Sequence, residues 1–198
     1  EYKNNFDLGI KEMEKLVKNY FDKEGFPLTR NPSDLIFFVK YLILCRKCID
    51  DAQNYVPEFL DTIIDQSLKC ISGILTPSNQ IPLFNGGTED NLEQFINFSN
   101  MPDFRYKNKK RFIGGIHIFV NKNNALFFEV GEPPKKGFSQ SYQSGPLSFE
   151  YYLDGKKIIT NCGFGSNISP KAELLSRLTS AQSTLTLNDT SVTKFERN

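Results

Sequence analysis

The chain has 198 residues, 39% of them hydrophobic, which is enough to bury one or two ordinary cores. Its 24 Lys and Arg against 23 Asp and Glu leave a formal charge of +1. That balance gives no support to a polyanion-coating protein or a polybasic membrane anchor, so neither nucleic acid nor membrane insertion is expected.

Apolar positions Phe6, Ile10, Met13, Leu16, Val17 and Tyr20 recur at helix spacing and predict a helix over residues 6 to 23. GFPLTRNP follows as a connector with two prolines. Ser33 has N-cap chemistry, and residues 34 to 50 continue as a second helix. Its core, LIFFVKYLILC, is interrupted by Lys40 and is far short of the ~20 residues a membrane helix needs, so it reads as a buried helix. Asn54 to Pro57 breaks the pattern, and residues 58 to 75 carry Phe59, Leu60, Ile63, Ile64, Leu68, Ile71 and Leu75 at helix spacing again. TPSNQIPLFNGGTED is a loop, and a short helix is expected over residues 90 to 98.

Near residue 111 the period changes to two. RFIGGIHIFV, NALFFEVGE, GPLSFEYYL, KKIITNCG and STLTLND read as strands, and LDGKK holds the Asp-Gly of a tight hairpin. The expected fold is α+β, with a helical unit over 1–104 and an incomplete antiparallel sandwich over 105–198. The chain opens without Met and stops at KFERN just after a strand pattern, which suggests a piece of a longer protein.

Few groups carry obvious chemistry. Cys45 and Cys48 share a face of the second helix, and Cys70 and Cys162 stand alone. A zinc site needs about four ligands, and the single histidine, His117, sits in a strand pattern, so buried structural thiols are the reading and no metal is expected. His117 reads as a packed or edge-strand residue. Glu129 and Glu150 read as structural carboxylates, tied to backbone or arginine. Residues 138 to 150, FSQSYQSGPLSFE, pose the sharper question. Ser141, Tyr142, Gln143 and Ser144 lead into a buried strand with almost no acid or base strength at neutral pH. They are either an ordinary turn or the altered remains of a catalytic loop.

Taken together, the pieces resemble the heparinase II/III-like polysaccharide lyases, in particular a bacterial subgroup. RNPSDL before a long helix pair, then IPLFNGG, GEPP, SGPLSFE, IITNCG and LTSAQSTLTLNDTS follow the family's order. The resemblance spans nearly the whole chain and is strongest from Glu129 to Ser191. It implies that the helices end an incomplete α/α toroid and that the strands begin a sandwich. It also implies an acidic polysaccharide or oligosaccharide as partner, a cell-envelope or periplasmic location, and cleavage by β-elimination. In active members, histidines precede the strand of the FE motif, an aspartate often stands in the TNCG segment and a histidine in the TSAQS segment; they bind a structural metal or take part in the elimination. Carried over singly, those positions fall here on Ser141, Gln143, Asn161 and Gln182.

Elimination needs a base for the proton, an acid for the leaving oxygen and donors for the substrate carboxylate. Gln143, Asn161 and Gln182 can donate hydrogen bonds but cannot be a base. Tyr142 is the nearest phenol, and Tyr41 and Tyr55 lie in the helical half that faces the cleft in the family. Arg177 matches a basic position that can grip an anionic sugar through its fork of donors. Gln and Asn are poor zinc ligands, so neither zinc nor another cofactor is expected. Three readings stay open: a lyase working through tyrosine and amide groups, a glycan-binding protein with catalysis lost, and a structural protein of the envelope.

Overall fold

Prolines and a capping asparagine set the helix boundaries. In the computed structural model, which describes residues 2–76, 78–89, 92–99 and 110–195, the helices are α1 (Tyr2–Tyr20), α2 (Pro32–Asp51), α3 (Glu58–Ile74) and α4 (Leu92–Ser99). Asn31, not Ser33, caps α2. Its side chain accepts the Ser33 N–H at 2.9 Å, with Pro32 preset for the first helical turn. The Ser33 hydroxyl turns outward instead and accepts the Thr88 N–H at 2.9 Å. The expected division after residue 104 lies outside the described residues.

The β half is an antiparallel meander in the order β1 (Phe112–Ile113), β2 (Ile116–Val120), β3 (Asn124–Glu129), β4 (Phe149–Leu153) and β5 (Lys156–Ile159). Two stretches depart from expectation. RFIGGIHIFV is a hairpin rather than one strand, because Gly114 and Gly115 both take positive φ, 55° and 83°, and reverse the chain in two residues. The Asp154–Gly155 turn, at 50° and 76°, uses the same geometry, whose twist matches that of the flanking strands. STLTLND forms no strand among the described residues: Leu185 and Leu187 are 81% and 70% exposed, and the only pairing is an isolated bridge from Leu187 to Thr190. The segment is tied down by Ser183, whose hydroxyl accepts the Phe149 N–H at 3.1 Å, and by Thr184, which donates to the Pro146 carbonyl at 2.6 Å. A short helix, α5 (Pro170–Ser176), was not anticipated; Ser169 caps it by accepting the Ala172 N–H at 3.1 Å.

The two faces of the sheet differ. Ile116, Ile118, Ala125, Phe127 and Tyr152 point toward the helices and merge with Phe26, Leu35, Val39, Leu60, Leu68, Ile71 and Ile74 into one buried cluster. The opposite face carries the cross-strand rows His117–Phe128–Phe149 and Phe119–Leu126–Tyr151–Ile159. These side chains are half-buried or exposed.

Candidate functional site

The helices and the sheet are joined by a latch around Arg30. This residue sits in the α1–α2 connector with φ 58°, a left-handed backbone that aims its side chain across the junction. The guanidinium pairs with Glu129 at the end of β3, donates to the Glu132 carbonyl, and gives its Nε proton to Gly114 O at 3.3 Å. Gly115 and Gly131 lie flat against it, and a Cβ on either would overlap it. Glu129 also accepts from Asn85 Nδ2 at 2.9 Å and from the Gly131 N–H at 3.2 Å. Burial pushes the Glu129 carboxyl up, against the downward pull of Arg30, Asn85 and Gly131.

The 138–150 loop is bolted onto this latch. Gln143 is buried, and each of its amide groups is used: Nε2 donates to Gly163 O at 2.7 Å and Ser176 O at 2.8 Å, and Oε1 accepts the Gly86 N–H at 3.0 Å. Ser144 shares a hydrogen bond with Thr179 at 2.7 Å and accepts the Thr193 N–H at 2.9 Å. Ser141 donates to Asn85 O at 3.2 Å. Tyr142 is buried, and its phenol is raised above its ordinary value by burial and by the Glu129 charge, which Arg30 only partly offsets.

The remaining family positions are equally occupied. Asn161 gives its backbone N–H and its Nδ2 to Glu150 at 2.9 and 3.3 Å, and its Oδ1 accepts the Ser183 N–H at 3.0 Å. Glu150 is fully buried and also accepts from Tyr152 at 2.7 Å and Thr160 at 3.0 Å, so it is held by neutral donors and no arginine. Gln182 donates to the same Ser176 carbonyl as Gln143, at 2.7 Å. Arg177 donates to Tyr142 O at 3.1 Å and Ser139 O at 3.5 Å and stacks on Phe195 at 4.1 Å. Tyr41 and Tyr55 are exposed, at 49% and 82%, and neither lines the junction. His117 lies between the Phe112 and Phe119 rings, at 5.2 and 6.2 Å. Among the described residues no three His, Cys, Asp or Glu side chains gather as a metal site would need, and no helix is long and apolar enough to cross a membrane.

Beside the latch a cleft of about 660 Å³ opens between the start of α2, the 137–141 loop and α5. Tyr20, Phe138 and Phe164 supply rings; Asn31, Ser33, Thr88, Gln140, Ser141 and Ser166 supply amides and hydroxyls; Asp34 and Glu173 are its charged groups. Asp34 accepts the Thr29 hydroxyl at 2.6 Å, and the Tyr20 phenol is raised by burial and by Asp34. Ser141 reaches this wall; Gln143, Asn161, Gln182 and Arg177 do not line it. Reading the sequence missed Arg30, Asn31, Asp34 and Asn85 as individuals, although RNPSDL and IPLFNGG contain all four.

Residues 113–198 match the family described as heparinase II/III-like, C-terminal. The chain also superposes on the heparan sulfate lyase HepC from Pedobacter heparinus with a TM-score of 0.73 at 16% identity, over 92% of this chain and 33% of that one. A heparinase III gives a TM-score of 0.75 at 12% identity, over 94% of this chain and 35% of its own. At such identities the likeness shows the fold. No curated protein sequence matches the chain. The helices followed by an antiparallel sheet thus share the fold of the matching part of those structures. The β part carries the match to the heparinase II/III-like C-terminal family, in a chain spanning about a third of the length of those structures.

Proposed function

We propose that this chain forms the glycan-holding junction of a heparinase II/III-like protein, and that its described residues shape the cleft without supplying the acid and base of an elimination. The reading rests on the bonding of Gln143: a buried amide with both donors and its acceptor committed to backbone has nothing left to offer a substrate. Tyr142 supports it. A phenol serving as base needs its pKa lowered, and burial moves this one the other way.

On this reading the helices end a toroid and the sheet begins a sandwich, in two units dividing between residues 104 and 105, in a protein of the cell envelope. The exposed stripe Phe37, Tyr41 and Leu44 on α2 supports the toroid, since it leaves an apolar helix face for a neighbour. The sheet's uncovered aromatic face supports the sandwich in the same way. The neighbour named as a heparan sulfate lyase supports an acidic polysaccharide as the polymer.

The test uses the full-length protein with a panel of uronic-acid polysaccharides, following the absorbance of the unsaturated sugar that elimination leaves. Tyr142→Phe is expected to leave any turnover within ~3-fold of wild type, since a true acid or base contributes about 100-fold or more. A 100-fold loss in that variant, with the fold intact, makes Tyr142 catalytic and overturns the reading.

A further inference from the structure

The cleft beside the latch has a charge pattern that does not match a uronate. Among the described residues its lining contains two carboxylates, Asp34 and Glu173, and no lysine or arginine. Arg177, which feels the Glu173 charge, is committed elsewhere, with its donors on the Tyr142 and Ser139 carbonyls and its plane on Phe195. Arg30 is likewise consumed by Glu129. An anionic sugar entering here would lose water and meet two carboxylates with no lining cation to offset them, which disfavours it in a partly desolvated cleft.

What the lining offers is suited to an uncharged sugar. Tyr20 and Phe138 meet edge to face at 5.6 Å and form an aromatic corner, against which the apolar face of a pyranose ring can pack. Hydroxyl and amide groups of Thr88, Gln140 and Ser166 surround it, and carboxylate oxygens accept sugar hydroxyls well. Resting on the glycan-holding reading above, we propose that this cleft is a subsite for an uncharged sugar unit of the polymer, with Asp34 and Glu173 excluding carboxylated or sulfated units.

Calorimetry on the full-length protein with three probes tests this: an N-acetylglucosamine hexamer, unsulfated heparosan, in which uronate and N-acetylhexosamine alternate, and polygalacturonate, in which every unit is acidic. The first two are expected to bind, and polygalacturonate at least ~10-fold more weakly. Glu173→Gln and, separately, Asp34→Asn should narrow the ratio between polygalacturonate and hexamer affinities. Asp34 also accepts the Thr29 hydroxyl, a bond its amide replacement weakens, so the Glu173 variant is the cleaner one. Polygalacturonate binding as tightly as the hexamer, or an unchanged ratio in both variants, overturns the subsite while leaving glycan holding intact. Binding of none of the probes overturns the glycan-holding reading, and the subsite with it.

Discussion

At the scale of single residues, the loop beside the latch is held by satisfied amides rather than by titratable groups. Gln143 is 2% exposed and serves three backbone groups from three segments. Replacing it with leucine keeps the volume but leaves the Gly86 N–H buried without a partner and the Gly163 carbonyl with only the weak Cys162 thiol donor. The Ser176 carbonyl keeps its bond from Gln182. Each orphaned buried group costs about 1–3 kcal/mol, so Gln143→Leu is expected to lower the unfolding free energy by about 3 kcal/mol. Gln182→Ala removes a bond to a carbonyl that Gln143 still serves, and a long contact to the Cys162 sulfur, from a half-exposed side chain, and should cost about 0.5–1 kcal/mol. Urea denaturation of the two variants decides the matter: equal losses would mean that Gln143 is no more than a surface amide. This network was not legible in the sequence. The motif SYQSGPLSFE marked the right positions, yet nothing local says that the side chain at 143 meets carbonyls 20 and 33 residues away.

At the scale of elements, legibility follows the range of the interaction. The helices announced themselves because their apolar period is local, and the Asp-Gly hairpin because its two φ values select their residues. STLTLND alternates as a strand should, but alternation gives only a face; a strand also needs a neighbour along its edge, and the described residues provide none there. The Arg30 latch spans 99 positions to Glu129, beyond any periodic signal. Its packing against glycines makes it testable through a residue other than itself. Gly115→Ala places a methyl at positive φ and against the guanidinium, so it strains the backbone and displaces a cation whose partner is buried. Gly137 has a similar φ, 97°, with open space where a Cβ would stand. Gly137→Ala should cost about 1–2 kcal/mol from the backbone alone. Gly115→Ala should cost about 3 kcal/mol or more, because breaking one side of a buried pair leaves the other uncompensated. If thermal unfolding shows the two alanine variants equally affected, the guanidinium does not depend on the glycine surface and the latch is misassigned.

At the scale of the whole molecule, the decisive feature is a sheet with one face committed and one not. The inward face is sealed against α2 and α3. The outward face stacks Phe128 on Phe149 at 5.3 Å and leaves Phe112, Phe119 and Ile159 exposed by 48%, 49% and 38%. Antiparallel sheets can put one face to water, but such faces are normally polar, and a contiguous aromatic one marks an interface. This 198-residue chain on its own is therefore expected to bind a hydrophobic dye such as ANS while keeping native-like secondary structure, and to self-associate as concentration rises. Placing charges on the uncovered rows, with Phe119→Lys and Ile159→Lys together, should remove most of the dye signal and return the chain to a monomer in sedimentation. Lysines there cost little stability, because neither side chain belongs to the buried cluster. The same substitutions in the full-length protein should be damaging if a second sheet covers that face, because two ammonium groups would then be buried without partners. Dye binding that is absent in the isolated chain, or unchanged by the paired lysines, would mean that the outward face is not an open interface, and the sandwich reading would lose its structural support.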